Sequence, residues 1–298
     1  MNGLLILDKP AGFTSFDAVA VMRGLTHQRK IGHTGTLDPM ATGVLPLLLG
    51  CATRANALLP DTDKEYEAGF RLGIATDTQD MTGKVIAESG HGAAKEKVEA
   101  ALCAFRGEIL QVPPMVSAIS VGGKRLYDLA RQGIEVERKP RPVTISRLEL
   151  LSYDESTRSG ALRVACSKGT YIRTLCADLG EALHTYGAMS SLRRTRASGF
   201  TLSDCVTLPQ AKQLAAENRL AERVLPVETL FMGMPDVAVS PAQAVRFGNG
   251  GALDLDRTSL RCAQEGAVFR VKDRDGAFLG LGRAENGQLR VHRLFRSE

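Results

Sequence analysis

The 298-residue chain is predicted to be an α+β protein with a mixed, mainly antiparallel sheet core and a small C-terminal β domain. Segments with strand-like alternation and segments with helical spacing follow one another without the regular β-α-β repeat of a doubly wound parallel sheet. A hydrophobic content of 44% with 24% charged residues is typical of a globular chain that buries a large core. Two hairpin turn signals near the C-terminal end predict the separate β domain.

The N-terminal region predicts a strand, a helix and a second strand. Residues 3–7 are apolar and predict a strand, which the Pro-Ala-Gly turn at residues 10–12 ends. Thr14 is predicted to cap the helix, with Asp17 three residues on as its capping-box partner. Residues 44–49 predict a buried strand. The side chains predicted to share one face of the helix are Phe16, Val19, Ala20 and Arg23.

The middle of the chain adds most of the predicted sheet. The predicted strands are residues 64–72, 143–153, 161–167 and 189–196, and the predicted helices are residues 93–105, 171–184 and 209–218. Residues 76–83 are polar and predict a turn. Two prolines begin the segment 113–142, whose glycines and basic side chains predict a projecting insertion. We expect residues 1–230 to form the first domain.

The C-terminal part changes character after a linker around residues 226–235. Ser240 is predicted to cap a short helix, with Pro241 at its first helical position. Asp-Gly at 275–276 and Asn-Gly at 286–287 predict tight turns between antiparallel strands. We therefore predict a small β domain over residues 236–298.

The spacing of cysteines and histidines argues against a metal site and against a disulfide framework. The six cysteines form no C-x-x-C pair, and the five histidines form no H-E-x-x-H pattern. No segment has the length and apolarity of a signal peptide or a membrane span. The expectation is a cytoplasmic protein that holds no metal and does not associate with a membrane.

Basic residues are concentrated in one part of the chain, although the formal net charge is only +5. Residues 161–200 contain six Lys or Arg side chains and only two acids. A local basic surface of this kind favours a polyanionic partner. A solvated face with scattered arginines would give the same count, so the charge alone leaves both interpretations open.

The stretch GHTGTLDPMATGVLPLLLG, residues 32–50, places one acid, Asp38, among glycines, prolines and an apolar run. An Asp before a Pro favours a turn, and a catalytic carboxylate is the alternative interpretation. A P-loop is excluded because G-x-x-x-x-G-K-[ST] is missing, and a dinucleotide site is excluded because G-x-G-x-x-G is missing. A glycosidase needs a second acid, and none stands in an equally marked context. Glycosyl chemistry therefore stays open, but only in an unusual form.

Six segments occur in an order that closely resembles the bacterial tRNA pseudouridine-55 synthases of the TruB type. They are LDKPAGFTSFDAV, KIGHTGTLDPMATGVLPLLLG, DKEYEAGFRLGIATDTQDMTG, PPMVSAISVGGKRLYDLARQGIEVE, CSKGTYIRTLCADLG and LRRTRASGF. The resemblance covers nearly the whole chain, and the C-terminal region resembles a PUA RNA-binding domain. It implies an isomerase that detaches the uracil of uridine 55 in the T loop of tRNA, turns it and rejoins it through C5. Such a reaction needs no cofactor, no metal and no protein partner.

The resemblance assigns catalytic roles to three residues. Asp38 matches the catalytic carboxylate of the family; whether it attacks the sugar, adds to the base or removes a ribose proton stays open. Arg173 is expected to pair with Asp38 and to keep it ionised. Tyr66 is expected to stack on the target uracil, and its hydroxyl to assist removal of the proton from C5.

Further residues are expected to bind the substrate. Because the target uridine lies inside the folded T loop, its base must flip out, and His33 is expected to stack near the emptied position. Tyr171 and Leu192 are expected to line the pocket, and Lys9 to contact the substrate. The tRNA phosphates are expected to meet the insertion and the basic side chains Lys168, Arg193, Arg194 and Arg196.

Two alternative functions predict different features of the sequence. A non-catalytic tRNA-binding or tRNA-folding protein on the same scaffold would be expected to lack the acid or the tyrosine, and both are present. A guide-RNA-dependent synthase of the archaeal type would need partner proteins and would lack the insertion. Two positions depart from the usual family pattern: Val116 stands where a Tyr is common, and Ser120 where a Lys is common.

Overall fold

A large mixed sheet dominates the computed structural model of the chain, which describes residues 1–60, 63–117 and 120–295. The strands along these residues are β1 (Gly3–Lys9), β2 (Ile31–His33), β3 (Thr42–Leu49), β4 (Lys64–Leu72), β5 (Ile74–Thr76), β6 (Val85–Glu88), β7 (Gly107–Gln111), β8 (Ser120–Val121), β9 (Lys124–Arg125), β10 (Arg141–Asp154), β11 (Ser159–Cys166), β12 (Gly187–Ala197), β13 (Phe200–Thr201), β14 (Val206–Thr207), β15 (Asp236–Ala238), β16 (Leu253–Asp254), β17 (Val268–Lys272), β18 (Phe278–Glu285) and β19 (Gln288–Leu294).

The large sheet has the strand order β14-β1-β3-β12-β4-β11-β10-β7, with β2 beside β3 and β13 beside β12. The pairs β1/β14 and β3/β12 are parallel. The remaining pairs along this order are antiparallel, including the long predicted pair β10/β11. The predicted α+β fold with a mixed, mainly antiparallel core is therefore confirmed.

Helices cover the sheet and its edges. Along the described residues they are α1 (Ser15–Thr26), α2 (Lys95–Leu102), α3 (Leu126–Arg131), α4 (Ile172–Ala182), α5 (Leu208–Ala216) and α6 (Pro241–Gly248). The predicted helices at 93–105, 171–184 and 209–218 are confirmed in type, and each α-helix is shorter than its prediction. The first of them ends early because Cys103–Phe105 continue as a 3-10 turn.

Helix α1 begins as predicted but turns a different face to the core. The Thr14 side chain accepts from the Asp17 N–H, and Asp17 accepts from the Thr14 N–H, so the capping box is confirmed. Phe16 is 62% exposed, and the guanidinium of Arg23 lies 5.3 Å from the centre of its ring. The predicted face is therefore wrong, except for Val19. The buried residues are Ser15, Ala18, Val19 and Met22.

Strand β4 has the predicted bounds and lies in the middle of the sheet, between β12 and β11. Its buried side chains alternate along the strand: Tyr66, Ala68, Phe70 and Leu72. Since alternate side chains of a strand point to the same face, Tyr66 belongs to the face that packs on the core.

The segment 113–142 carries the short hairpin β8/β9 and helix α3. Residues 118–119 of the predicted insertion and the side chain of Ser120 lie outside the described residues, so the departure at Ser120 is not tested. The boundaries predicted for the insertion and for the two domains also stay predictions.

The C-terminal region forms a second sheet of the order β15-β17-β18-β19-β16. Turns at the predicted positions join β17 to β18 and β18 to β19, and both pairs are antiparallel. Ser240 caps α6 as predicted, with Pro241 in its first turn. Phe231, Phe278 and Phe295 pack together with ring centroids 5.7 to 6.4 Å apart and join the sheet to the buried strands β1 and β3.

A buried arginine ties the second sheet to the segment that precedes it. Arg270 on β17 is 6% exposed and contacts Glu228 at 2.7 Å and Asp236 at 3.2 Å. Its Nε donates to the Met234 carbonyl at 2.9 Å, and Lys272 contacts the same Glu228 at 2.9 Å. The guanidinium thus joins the 3-10 turn Val227–Phe231 to the sheet.

We expect Arg270→Ala to lower the free energy of unfolding by about 3 kcal/mol, because it removes a buried guanidinium and leaves the Met234 carbonyl and Asp236 without this partner and Glu228 with Lys272 alone. Urea unfolding followed by circular dichroism measures this change. Arg219→Ala is the control, since Arg219 pairs with Glu217 and Glu222 on the exposed surface and should change stability little. Equal effects of the two substitutions would contradict the structural role of Arg270.

Candidate active site

The loop between β2 and β3 places Asp38 on a bend, as the Asp-Pro sequence predicts. The Ala41 N–H donates to the Asp38 carbonyl at 3.0 Å, which closes the turn. Ser15 at the start of α1 supports the loop, because its hydroxyl accepts from the Leu37 N–H at 2.8 Å and donates to the Leu37 carbonyl at 3.2 Å. The turn and the presentation of a carboxylate are therefore compatible.

Glycine is required where β3 leaves this loop. Gly43 has φ of +103° and lies opposite Arg194 of β12, and a Cβ at this position would overlap the Arg194 carbonyl. The close approach brings the Asp38 loop against the middle of the sheet.

Lys9 lies beneath the Asp38 loop with its side chain fully buried. Its ammonium donates to the carbonyls of Pro10, Phe13 and Pro39, at 2.9, 2.6 and 3.3 Å. Burial lowers the pKa of Lys9 to about 8, against the opposing charge of Asp38. The three carbonyl contacts use all the donors of the ammonium, so the geometry is that of a support for the loop.

Asp38 and Arg173 form a close ion pair. Arg173 Nε lies 3.0 Å from Asp38 Oδ2, and Arg173 Nη2 donates to Asp38 Oδ1 at 3.5 Å. The Arg173 side chain is 5% exposed, whereas the Asp38 side chain is 37% exposed. A buried guanidinium therefore fixes the direction of a carboxylate that is still open to a substrate.

The Arg173 guanidinium, in the first turn of α4, also contacts two further segments of the chain. Arg173 Nη1 donates to the Thr78 carbonyl at 3.1 Å and lies 3.6 Å from Asp80 Oδ2. Nη2 also donates to the Val116 carbonyl at 2.9 Å. Arg173 thus joins the Asp38 loop, the turn at residues 76–83 and the beginning of the insertion.

Asp80 is a second acid of this site that the sequence alone does not single out. It is 4% exposed, and its Oδ1 accepts from the Thr78 hydroxyl and the Thr82 N–H, both at 2.9 Å. In the sequence it belongs to a polar turn, where an Asp between threonines is ordinary. Only the fold brings this turn to the first turn of α4, so no local signal could have identified it.

Burial raises the pKa of the Asp38 carboxyl above its ordinary value, and the neighbouring charge of Asp80 acts in the same direction. The charges of Arg173 and Lys9 act in the opposite direction and favour the ionised form. Arg173 is therefore the main group that keeps this carboxylate charged in a partly desolvated place.

Tyr66 and Arg194 lie opposite each other on β4 and β12. Burial raises the pKa of Tyr66 to about 12, so its hydroxyl stays protonated at neutral pH. Arg194 is fully buried, and its Nε donates to the Val44 carbonyl at 2.7 Å and its Nη2 to the Gly35 carbonyl at 3.1 Å. Arg194 thereby connects the tyrosine to the loop that carries Asp38.

The expected basic surface needs a correction at Arg194. Its guanidinium is buried among backbone carbonyls and is not part of an exposed phosphate-binding face. Arg193 pairs with Asp8 at 2.8 Å and remains 41% exposed, while Lys168 is exposed. Alternation along β12 explains the difference, because neighbouring side chains of a strand point to opposite faces.

The remaining predicted site residues lie on β12, before α4 and at the end of β2. Leu192 is 8% exposed and shares the face of Arg194, two residues away on β12. Tyr171 is the residue that precedes α4 and is partly exposed. His33 ends β2; burial and the charge of Arg194 lower its pKa, and its Nδ1 has no hydrogen-bond partner among the described residues.

Among the described residues, no group of three or more His, Cys, Asp or Glu side chains could hold a metal ion. Within the same ranges, no helix combines the length and apolarity needed to cross a membrane.

The structure is similar to single chains from two solved complexes. It matches a chain of a crystallised Cbf5-Nop10-Gar1 complex with a TM-score of 0.75 and 26% identity, covering 99% of this chain and 85% of that chain. A chain of the archaeal box H/ACA sRNP Nop10-Cbf5 complex matches with a TM-score of 0.74 and 25% identity, over 99% of this chain and 86% of that one. The fold is therefore the pseudouridine synthase fold.

Family models match nearly the whole chain. The model described as TruB family pseudouridylate synthase, N-terminal domain, covers residues 23–172, and two TruB C-terminal models cover residues 173–232 and 235–295. Proteins named tRNA pseudouridine synthase B are 46% identical in Aromatoleum aromaticum, over 99% of this chain and 92% of that protein, and 44% identical in Pseudomonas fluorescens, over 100% and 97%. The chain belongs to the TruB family of pseudouridine synthases. The predicted PUA-like C-terminal sheet is consistent with the C-terminal models of this family.

Proposed function

We propose that the chain is a tRNA pseudouridine synthase that isomerises uridine 55 in the T loop, with Asp38 as the catalytic carboxylate. The observation that carries this proposal is the ion pair in which buried Arg173 directs the half-exposed carboxylate of Asp38. The name of the relatives from Aromatoleum aromaticum and Pseudomonas fluorescens, which are 46% and 44% identical to this chain, also gives tRNA as the substrate. We further propose that the enzyme acts in the cytoplasm and requires no protein partner.

The reaction breaks the bond between C1′ and N1 and forms a bond between C1′ and C5, after which the C5 proton is lost and N1 regains a proton. Nothing is oxidised and no group leaves the nucleotide. Asp38 is proposed to act on the flipped nucleotide as an ionised carboxylate. This requirement is the same whichever atom of the nucleotide the carboxylate reaches first. Arg173 supplies the fixed positive charge that keeps the carboxylate ionised and oriented, without a change of position during the reaction.

Tyr66 is proposed to support the flipped uracil. Its ring and Leu192 belong to the same buried face of neighbouring strands, as a stacking surface and a pocket wall require. Because its pKa is raised to about 12, the hydroxyl keeps its proton before the substrate binds. Removal of the C5 proton by Tyr66 would therefore need a partner that takes up the hydroxyl proton.

RNA is proposed to reach this site along the loop of Asp38 and the insertion. Flipping the base out costs roughly a few kcal/mol of lost stacking. His33 at the start of the loop is proposed to fill the position that the base leaves. Tyr171 borders the site from the start of α4. Lys9 is proposed to act indirectly, through the loop that it supports, since its ammonium is buried under Asp38.

The function is tested with a T-arm stem-loop alone. Base flipping and the contacts around Asp38 are local, so the parent protein should convert uridine 55 of this stem-loop and leave the other uridines unchanged. Mapping of pseudouridine by reverse transcription after carbodiimide treatment identifies the position. A stem-loop with cytidine at position 55 is the control. Modification at another position, or only in full-length tRNA, would contradict the proposal. If the parent protein binds the stem-loop but leaves uridine 55 unmodified, the non-catalytic alternative is favoured.

A further inference from the structure

Gln111, the last residue of β7, makes an unusual pair of hydrogen bonds with the residue that precedes α4. Its Oε1 accepts from the Tyr171 N–H at 2.7 Å, and its Nε2 donates to the Tyr171 carbonyl at 3.0 Å. The side chain is 2% exposed. The amide donates through one atom and accepts through the other, and neither an ionised Glu nor a Met could reproduce the pair.

The two hydrogen bonds between Gln111 and Tyr171 lie at the start of α4, where no side chain caps the helix. Tyr171 is the N-cap residue of α4, and its own side chain makes no capping hydrogen bond. The Tyr171 carbonyl also accepts from the Leu175 N–H at 3.1 Å, whereas the Tyr171 N–H has Gln111 as its partner. Gln111 therefore fixes where α4 begins relative to the sheet, and Arg173 follows two residues later.

The short segment that begins at Gln111 also contacts the active site at its other end, at Val116. Five residues after Gln111, the Val116 carbonyl accepts from Arg173 Nη2 at 2.9 Å. Between them, the Pro113 carbonyl accepts from Arg138 at 3.1 Å. The base of the insertion is thus attached to the first turn of α4 on both sides, through Gln111 and through Arg173.

We propose that Gln111 is a positioning residue of the active site, which holds the start of α4 so that Arg173 directs Asp38. This inference rests on the proposed roles of Asp38 and Arg173 and adds a residue that touches neither the substrate nor the carboxylate. Gln111 also places the base of the insertion, so one amide aligns the RNA-contacting segment with the catalytic pair.

The test compares Gln111→Met with the parent protein on the T-arm stem-loop. Methionine fills a similar volume but leaves the Tyr171 N–H unpaired. We expect the single-turnover rate to fall about 10- to 100-fold, because small displacements of catalytic groups have effects of this size. The Kd for the stem-loop should change by a smaller factor than the rate, since Gln111 acts on the RNA-contacting segment only indirectly. A parental rate would overturn the proposal.

The pH dependence and a double substitution distinguish positioning from simple loss of stability. If Arg173 is displaced, its charge no longer lowers the pKa of Asp38 fully, so the acid limb of the rate profile should move to higher pH. This midpoint does not depend on the amount of folded enzyme, and circular dichroism over the same pH range checks folding. In an Arg173→Met background, Gln111→Met should have almost no additional effect. An unmoved acid limb, or two effects that multiply, would overturn the proposal.

Gln243→Met is the matched control. The Gln243 amide likewise accepts from a backbone N–H, that of Ser240 at 2.9 Å, and donates to a backbone carbonyl, that of Arg257 at 2.9 Å. It lies on α6 beside the C-terminal sheet. The acid limb should stay at its parental position in this variant, and a shift equal to that of Gln111→Met would overturn the proposal. Failure of the parent protein to modify the stem-loop would instead count against the proposed function.

Discussion

Asp38→Asn is expected to lower the single-turnover rate of pseudouridine formation by at least about 1000-fold. Asparagine keeps the size of the side chain and its hydrogen bond to Arg173, but it lacks the charge and basicity that a reacting carboxylate needs. The rate is measured on the T-arm stem-loop with excess enzyme, so that product release does not contribute. RNA affinity should be retained or rise slightly, because the substitution removes a negative charge near the phosphates.

Asp154→Asn is a suitable control for this substitution. Asp154 ends β10, and its carboxylate accepts from the Ser156 N–H at 2.8 Å in the turn to β11, at the far end of a long hairpin. Its rate should equal that of the parent protein. A rate of Asp38→Asn within about tenfold of the parent would show that another group performs the chemistry. Loss of RNA binding together with a changed circular dichroism spectrum would indicate a folding defect instead.

Elements with a strong local signal could be predicted from the sequence. Strand β4 has the predicted bounds because its polar and apolar side chains alternate without interruption. The capping boxes at Thr14 and Ser240 depend on residues three positions apart and are equally local. The packed face of α1 is not predicted correctly, because Phe16 stays at the surface, where its ring faces the Arg23 guanidinium, and this placement depends on the surrounding fold.

The active site depends on contacts between distant parts of the chain, and these have no local signal. Asp38 and Arg173 are 135 residues apart, and Thr78 and Arg173 are 95 apart. The resemblance to the family supplied the first pair, because both residues lie in matched motifs. Asp80 lies in a matched segment too, whereas Gln111 lies two residues before one, and neither residue type is unusual in a turn or at a strand end. Their roles follow only from the buried hydrogen bonds that the sheet brings together.

Arg173→Met is the second substitution with a large expected effect, a decrease in the single-turnover rate of about 100- to 1000-fold. Methionine preserves much of the buried volume but removes the contacts to Asp38, Asp80 and the Val116 carbonyl. Two carboxylates then share a partly buried place without the guanidinium between them. Since burial and the charge of Asp80 already raise the pKa of Asp38, loss of Arg173 should raise it further.

The sign of the pH effect follows from this. An acid that must be ionised to react loses activity as the pH falls through its pKa, so a higher pKa moves the acid limb to higher pH. We expect the acid limb of the single-turnover rate profile to lie at clearly higher pH in Arg173→Met than in the parent protein. An acid limb at the parental position would show that Arg173 does not control the ionisation of Asp38.

Arg173→Lys separates charge from geometry. An ammonium supplies the positive charge but not the planar fork, so it cannot contact Asp38, Asp80 and the Val116 carbonyl together. The acid limb should therefore return most of the way to its parental position, while the rate recovers by no more than about tenfold over Arg173→Met. Arg106→Met is the control, because Arg106 donates to the Leu148 carbonyl, at 3.0 and 3.1 Å, and to Cys103 Sγ at 3.6 Å, none of which belongs to the site. Full recovery of the rate by lysine would mean that a positive charge beside Asp38 suffices. The contacts of Arg173 to Asp80 and the Val116 carbonyl would then only stabilise the fold.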